Sequence, residues 1–544
     1  MPNGMSTGYT RLDEVVGEGD AGTVITPALR RARLEQLDRP GVHGEGVPLG
    51  KGKTGGGFFT PFAYTVNYVF GAGVLSIPYS VAHAGIIGSC LCMMVSATIS
   101  AIGMIWSAEA LGRAEGILRS QEEDELQSPT LQSFGSRPEN RGDAAFRLSG
   151  RRIEISELCT IFLGKFWGAF YTVLAALYCI ISMWFYGVIF SLSMTQTFPL
   201  PLFPSTYVEG KWYEGTLCDL TQDVSLVGPE CRETYTLYCA LFLLITMVVS
   251  CADLAGQKML QVGFTIFGLG SILCMVVTIL VSWALHPYEG HVSNVTVPGD
   301  LPGYQTVDLW LDPSGFSTAV MNFVFAFLCH QGVPGILQMV QDKSKVPQIF
   351  SAAMFAACIC YMTLGAVAAS YFGQDPHYGI QKLVTLNWRN YNGDEDPLDR
   401  GNALTIFISY MIRLYPVMSV TAAFALYADT AGSVIRAALC PNLKSKWAKI
   451  FLRWVVIWLS LLGTAMKSDI TIIVNIGGLM GIIIVMFIPG ALQLASKKKC
   501  QEEFGRSRTP FEIVFSPNIF QYAIIGVGMS AGSYAIYHLV AAGS

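Results

Sequence analysis

The chain has 544 residues, of which 52% are hydrophobic and 14% charged, against about 25% charged in an ordinary soluble domain. This excludes a typical water-soluble enzyme and fits a chain embedded in a lipid bilayer. A net charge of −4 supplies no basic surface for nucleic acid.

Residues 1–57 are polar and glycine-rich and lack the apolar run of a signal peptide, so they read as a disordered cytosolic tail and the first apolar segment acts as the insertion signal. The string Gly50–Thr54 resembles a phosphate loop, but Val47 stands where its first glycine is required and no strand precedes it. Beyond the tail, apolar windows predict eleven spans at about 59–82, 86–111, 167–195, 234–253, 259–285, 316–340, 348–372, 402–427, 450–467, 470–494 and 516–540. Residues 58–541 thus read as one transmembrane domain with a long cytosolic loop, 112–166, that carries the acidic run Glu122–Glu125.

Positive charge orients the chain. With a cytosolic N-terminus, 27 Lys and Arg face inward and six outward. Eleven crossings then put the C-terminus outside or in a lumen. Asn294 opens a glycosylation sequon in the outward loop between the fifth and sixth spans. Cys218 and Cys231 share an outward loop, as a disulfide in an oxidising compartment requires. The other cysteines lack metal-ligand spacing, so no metal or cofactor is expected.

The first span reads NYVFGAGVLSIPY from Asn67, and the sixth reads NFVFAFLCHQGVPGI from Asn322. Both open with Asn, an aromatic, Val and Phe, and both are interrupted by Gly and Pro. They hold corresponding places in two five-span halves. An odd number of spans per half makes this an inverted repeat, and paired broken helices point to a transporter's binding site. A break at Gly71, Ala72 and Gly73 would leave the amides of Val74, Leu75 and Ser76 at a half-helix N-terminus, which favours a carboxylate. A first half-helix ending near Leu328 would offer carbonyls to an ammonium group, and Pro334 suits the start of the second half. Such a site fits a zwitterion. His330 and Arg413 are costly inside a membrane and are candidates for coupling or gating. Tyr178, Trp184 and Tyr186 in the third span read as packing in preference to pocket.

These segments resemble the amino acid/auxin permeases: the first-span motif, FAFLCHQGVPGILQMV in the sixth, YPV at 415–417 and GGLMGIIIVMFIPGAL at 477–492 follow that family's order. The resemblance implies an all-α membrane protein with eleven helices in a LeuT-type 5+5 inverted repeat plus one, alternating access and an amino-acid substrate. It also implies that a sodium site, where the family has one, uses Asn67 and an eighth-span hydroxyl two residues before Pro416. Leu414 stands there. The expectation is therefore a sodium-independent or proton-coupled secondary transporter, with the Arg413 guanidinium over the first-span carbonyls or Asn67. A sodium-coupled transporter, an amino-acid sensor and a membrane-embedded acyltransferase using His330 are the alternatives. Plasma membrane and vacuolar or lysosomal membrane fit the topology equally.

Overall fold

The computed structural model describes residues 57–126, 146, 148, 152–198, 206–208, 211–213, 229–254, 256–285, 307–374, 379–388, 391, 403–440, 445–465 and 470–543. Fourteen α-helices are present among them: α1 Phe59–Ala84, α2 Ile86–Leu126, α3 Ile155–Leu163, α4 Lys165–Thr197, α5 Pro229–Ser250, α6 Lys258–Leu285 and α7 Pro313–Ala326. There follow α8 Val333–Met339, α9 Val346–Phe372, α10 Ala403–Leu439, α11 Lys446–Ala465, α12 Ile470–Ile482, α13 Ile488–Phe504 and α14 Asn518–Gly543. A short antiparallel pair, β1 Thr206–Val208 with β2 Lys211–Tyr213, lies between α4 and α5.

Ten stretches among the described residues are long and apolar enough to cross a bilayer, and α1 is a further apolar helix of 26 residues. Helices suit this solvent because each satisfies its own backbone hydrogen bonds. Side chains remain apolar where the protein interior ends: Leu244, Val248, Leu273 and Phe451 are more than 60% exposed. The centre is formed by α1 and by residues 319–337 of α7–α8, which are almost wholly buried; α1 packs against α7, α9 and α10, and α7 against α12.

Both central helices depart from regular geometry. Gly71 has φ 0° and ψ −112° inside α1. The sixth span is helical as α7 to Ala326, turns out of helix at 327–329, forms a 3-10 turn at His330–Gly332 and resumes as α8. Asp312 caps α7, accepting from the Ser314 amide at 2.8 Å ahead of Pro313 at the first helical position. A third irregularity is the π-helical turn Ile483–Phe487 between α12 and α13.

The loops group into two faces. On one, the amides of Ile86, Ile87 and Gly88 donate to the carbonyls of Asp308, Leu309 and Trp310, and Asp312 donates to Ala84. Gly85 makes this approach possible: its φ is +89°, and a Cβ would lie 2.8 Å from the Leu311 backbone. On the other face, Tyr64, Arg152, Ser250, Asp429 and Arg453 are joined by hydrogen bonds or ion pairs to that face's loops and to one another.

Helix α2 continues to Leu126, past the apolar run ending at 111, and α3 occupies 155–163. Polarity hid this extension. Arg113 and Glu109 are fully buried and paired at 2.9 Å. Gln493 donates to Glu109 at 2.7 Å, Ser516 donates to it at 2.7 Å, and Arg113 donates to Gln493 and Ser496 at 2.7 and 3.0 Å. The charges are thus satisfied by α13 and the segment before α14.

Candidate functional site

The kink in α1 and the break after α7 lie side by side. A Cβ on Gly73 would sit 2.6 Å from the Cβ of Ala326 and 2.9 Å from its Cα. Backbone approaches backbone here, so only glycine fits. The two halves are also tied by Asn322, which accepts from the Ser76 hydroxyl at 2.9 Å and donates to Ser80 at 2.7 Å.

A helix that breaks leaves carbonyls without their usual amide partners, and in a water-poor interior each must find another donor. Four carbonyls at the two breaks accept from hydroxyls of other helices. Tyr361 of α9 donates to Val69 at 2.6 Å and Ser419 of α10 to Gly71 at 2.9 Å. Across the gap, Ser100 of α2 donates to Phe327 at 2.6 Å and Tyr427 of α10 to Leu328 at 3.1 Å. All four donors are uncharged.

Aromatic rings close the space between the breaks. The ring of Tyr427 lies 5.4 Å from Tyr68, 5.4 Å from Tyr186 and 6.1 Å from Tyr178, and Phe325 lies 5.9 Å from Tyr178. The Tyr186 hydroxyl is 2.6 Å from where a Gly71 Cβ would stand. Two of the three third-span aromatics read as packing therefore reach the break, while Trp184 packs on Gly463 of α11. The cluster is buried: Tyr178 is 0%, Tyr427 1% and Tyr68 and Tyr186 3% exposed.

Among the residues expected at the site, Gly71, Gly73, Val74, Leu75, Ser76 and Leu328 lie at the paired breaks, and Ala72 belongs to the same turn. Asn67 is turned elsewhere. Its amide donates to the main-chain and side-chain oxygens of Gln261 at 2.8 and 2.7 Å, and its own oxygen accepts from Thr265 at 3.0 Å, joining α1 to α6. His330 is fully buried on the 3-10 turn, against Gly103 of α2, where an added Cβ would meet Nε2 at 2.6 Å and the Val485 carbonyl of the π-turn at 3.0 Å. The expected position of Arg413 over the first-span break requires correction. Its guanidinium lies over the Tyr410 ring, 4.6 Å from the centroid, and the eighth-span group on the Gly71 carbonyl is Ser419. Six residues separate the two along α10, which is about 240° around a helix and about 9 Å along it, so they do not share a face. Cys218 and Asn294 lie outside the described residues, as does the side chain of Cys231.

The overall fold is similar to that of MhsT in its complex with L-phenylalanine, with a TM-score of 0.51 and 10% identity over 87% of this chain and 98% of that one. This is the LeuT fold of transporters. By sequence the chain is similar to the Transmembrane protein 104 homolog of Caenorhabditis elegans, 22% identical over 70% of this chain and 69% of the relative. It is also similar to the homolog of Dictyostelium discoideum, 23% identical over 86% and 93%, and to Transmembrane protein 104 of Gallus gallus, 21% identical over 83% and 90%. Residues 54–540 match the family described as transmembrane amino acid transporter protein, so nearly the whole membrane region, both broken helices included, identifies the chain as a member of that family.

Proposed function

We propose that this protein is a secondary active transporter that moves amino acids across its membrane by alternating access, with the substrate held between the kink at Gly71 and the break at Phe327–Gly332. The observation that carries this reading is the set of capped carbonyls. A tyrosine or serine hydroxyl on a carbonyl is a replaceable donor, and the ammonium group of an amino acid can take its place at Leu328 or Phe327. The amides following Gly71 stand at the positive end of the second half of α1 and suit the carboxylate. That MhsT was captured with L-phenylalanine agrees with a ligand of this size in this fold. Family and fold set aside the acyltransferase built on His330.

The topology has a cytosolic N-terminus, eleven spans and an outer or lumenal C-terminus, supported by the 27 to six division of positive charge and by the grouping of loops on two faces. The membrane is plasma, vacuolar or lysosomal. Coupling is to protons or independent of sodium, with His330 as the titratable group beside the substrate site. A second reading has a specific observation behind it: the Ser419 hydroxyl on the Gly71 carbonyl provides the eighth-span oxygen that a sodium site would need. The deciding experiment is uptake into proteoliposomes with each of the twenty amino acids as competitor, under an imposed pH or sodium gradient. Saturable uptake driven by acid and unchanged in choline supports the first reading, and steep sodium dependence supports the second. Binding without turnover under either gradient would refute transport and favour a sensor.

A further inference from the structure

On the proposed function the backbone of the paired breaks meets the ammonium and carboxylate that every amino acid carries, so discrimination falls to the side chains around it. Three of these are polar, buried and unbonded. Tyr178 and Ser182 lie one turn apart on α4, are 0% exposed, and have hydroxyls without a hydrogen-bond partner. The Tyr178 hydroxyl stands close to that of Ser182 and to that of Tyr427, which caps Leu328, without bonding to either. On the 3-10 turn of the sixth span, Gln331 is 2% exposed and both ends of its carboxamide are unbonded. The large majority of buried side-chain polar atoms have a partner, so four unbonded ones bordering a single break are an exception that a ligand would resolve. Charge is directed elsewhere: Asp429, two residues after Tyr427, is paired with Arg152 and Arg453.

We propose that the substrate is an amino acid with an uncharged, hydrogen-bonding side chain, a hydroxyl or a carboxamide, and that Tyr178, Ser182 and Gln331 select it. This selection rests on the amino-acid site between the breaks proposed above. An aliphatic or aromatic side chain in this space would leave two hydroxyls and a carboxamide buried and unbonded, which carries their full desolvation cost. A side-chain carboxylate or ammonium would give up its hydration without gaining a counter-ion. A hydroxyl or carboxamide both donates and accepts, as do the three groups it meets. A site built to hydrogen-bond rejects the analogue that lacks the bonding group far more strongly than an apolar pocket rejects a change of one methylene.

Binding, not turnover, provides the test: dissociation constants of labelled amino acids, measured by equilibrium dialysis on purified full-length protein. Threonine and asparagine should bind at least ten-fold more tightly than valine and leucine, their apolar counterparts of similar shape. Asparagine should also bind at least ten-fold more tightly than aspartate. Ser182→Ala and Gln331→Met should each shrink the preference for threonine over valine or for asparagine over leucine by three-fold or more, whereas a loss of packing alone would weaken both members of a pair alike. Ser193→Ala removes another unbonded, buried hydroxyl of α4, about 16 Å along the helix from Ser182, and should leave both preferences unchanged. Equal affinity within the pairs in the parent protein would overturn the selection while keeping the amino-acid site. So would an equal loss of preference in Ser193→Ala, and failure of every amino acid to bind would overturn the selection and the site together.

Discussion

Replacing Gly73 by alanine probes the contact between the two broken helices with the smallest possible change. The new methyl would lie 2.6 Å from the Ala326 Cβ and 2.9 Å from its Cα, where ordinary contact is 3.4–4 Å. The obstacle is backbone and cannot rotate away, so α1 and α7 must separate by about 1 Å. Overpacking of this kind costs about 1–3 kcal/mol, and where that cost falls on the closed state through which turnover passes, uptake drops roughly 5- to 150-fold. Gly73→Val should abolish uptake, as should Gly71→Val, whose side chain meets the Tyr186 hydroxyl. Gly270→Ala is the control: nothing lies within 4 Å of its added Cβ, and alanine favours a helix by up to about 1 kcal/mol over glycine. Initial rates in proteoliposomes, normalised to reconstituted protein and set beside thermal unfolding midpoints, separate turnover from folding. Uptake by Gly73→Ala within two-fold of the parent would refute the argument that the paired breaks are closed backbone to backbone.

Ser419→Ala leaves the Gly71 carbonyl without its hydroxyl, a loss of about 1–3 kcal/mol for a buried acceptor. Uptake should fall at least five-fold, and if the parent needs sodium its half-saturating concentration should rise; parent-like rates in sodium and choline would remove Ser419 from the mechanism. For His330→Asn, which keeps a polar group of similar reach, a proton role predicts loss of acid-driven uptake with exchange retained. An unchanged pH profile would end that hypothesis. Arg113→Ala strands Glu109, fully buried beside it, and should destabilise by about 3–5 kcal/mol, seen as loss of monodisperse protein; the double change with Glu109→Gln should recover part of it, and an additive loss would contradict the pairing.

Apolar length made ten membrane-length stretches among the described residues legible, because that signal depends on local sequence and on the thickness of a bilayer, and Gly and Pro marked the places where the two central helices depart from regular geometry. The Asn67 and Asn322 echo located the two helices, yet each asparagine proved a structural knot, one to α6 and the other across to the second half of α1. What sequence could not supply was the identity of the capping groups. Ser100 and Phe327, or Tyr361 and Val69, are separated by more than 200 residues, and a serine or tyrosine in an apolar helix carries no local sign of the carbonyl it will meet. The extension of α2 was hidden for the opposite reason. Glu109 and Arg113 are one helical turn apart, a spacing that stabilises helices, but their polarity reads as the end of a span when the partners on α13 are not in view.

Charge and neutrality are divided in space, and on the proposed function this division has a physical reason. A buried carbonyl left bare costs about 1–3 kcal/mol, whereas a made hydroxyl bond is worth only about 0.5–1.5 kcal/mol net. The four capped carbonyls therefore hold the closed state together against a dry, uncapped gap, but any single cap exchanges against a substrate ammonium with little net change. An arginine in the same place would bind its carbonyls more strongly and, once displaced, would leave a buried charge costing several kcal/mol, too much for a substrate to reverse at each cycle. Neutral caps thus suit the place where ligand must come and go. Arg413 lies against Tyr410, on another face of α10 from Ser419, and Arg152, Asp429 and Arg453 pair with one another, so charges meet charges while hydroxyls meet the four carbonyls of the breaks.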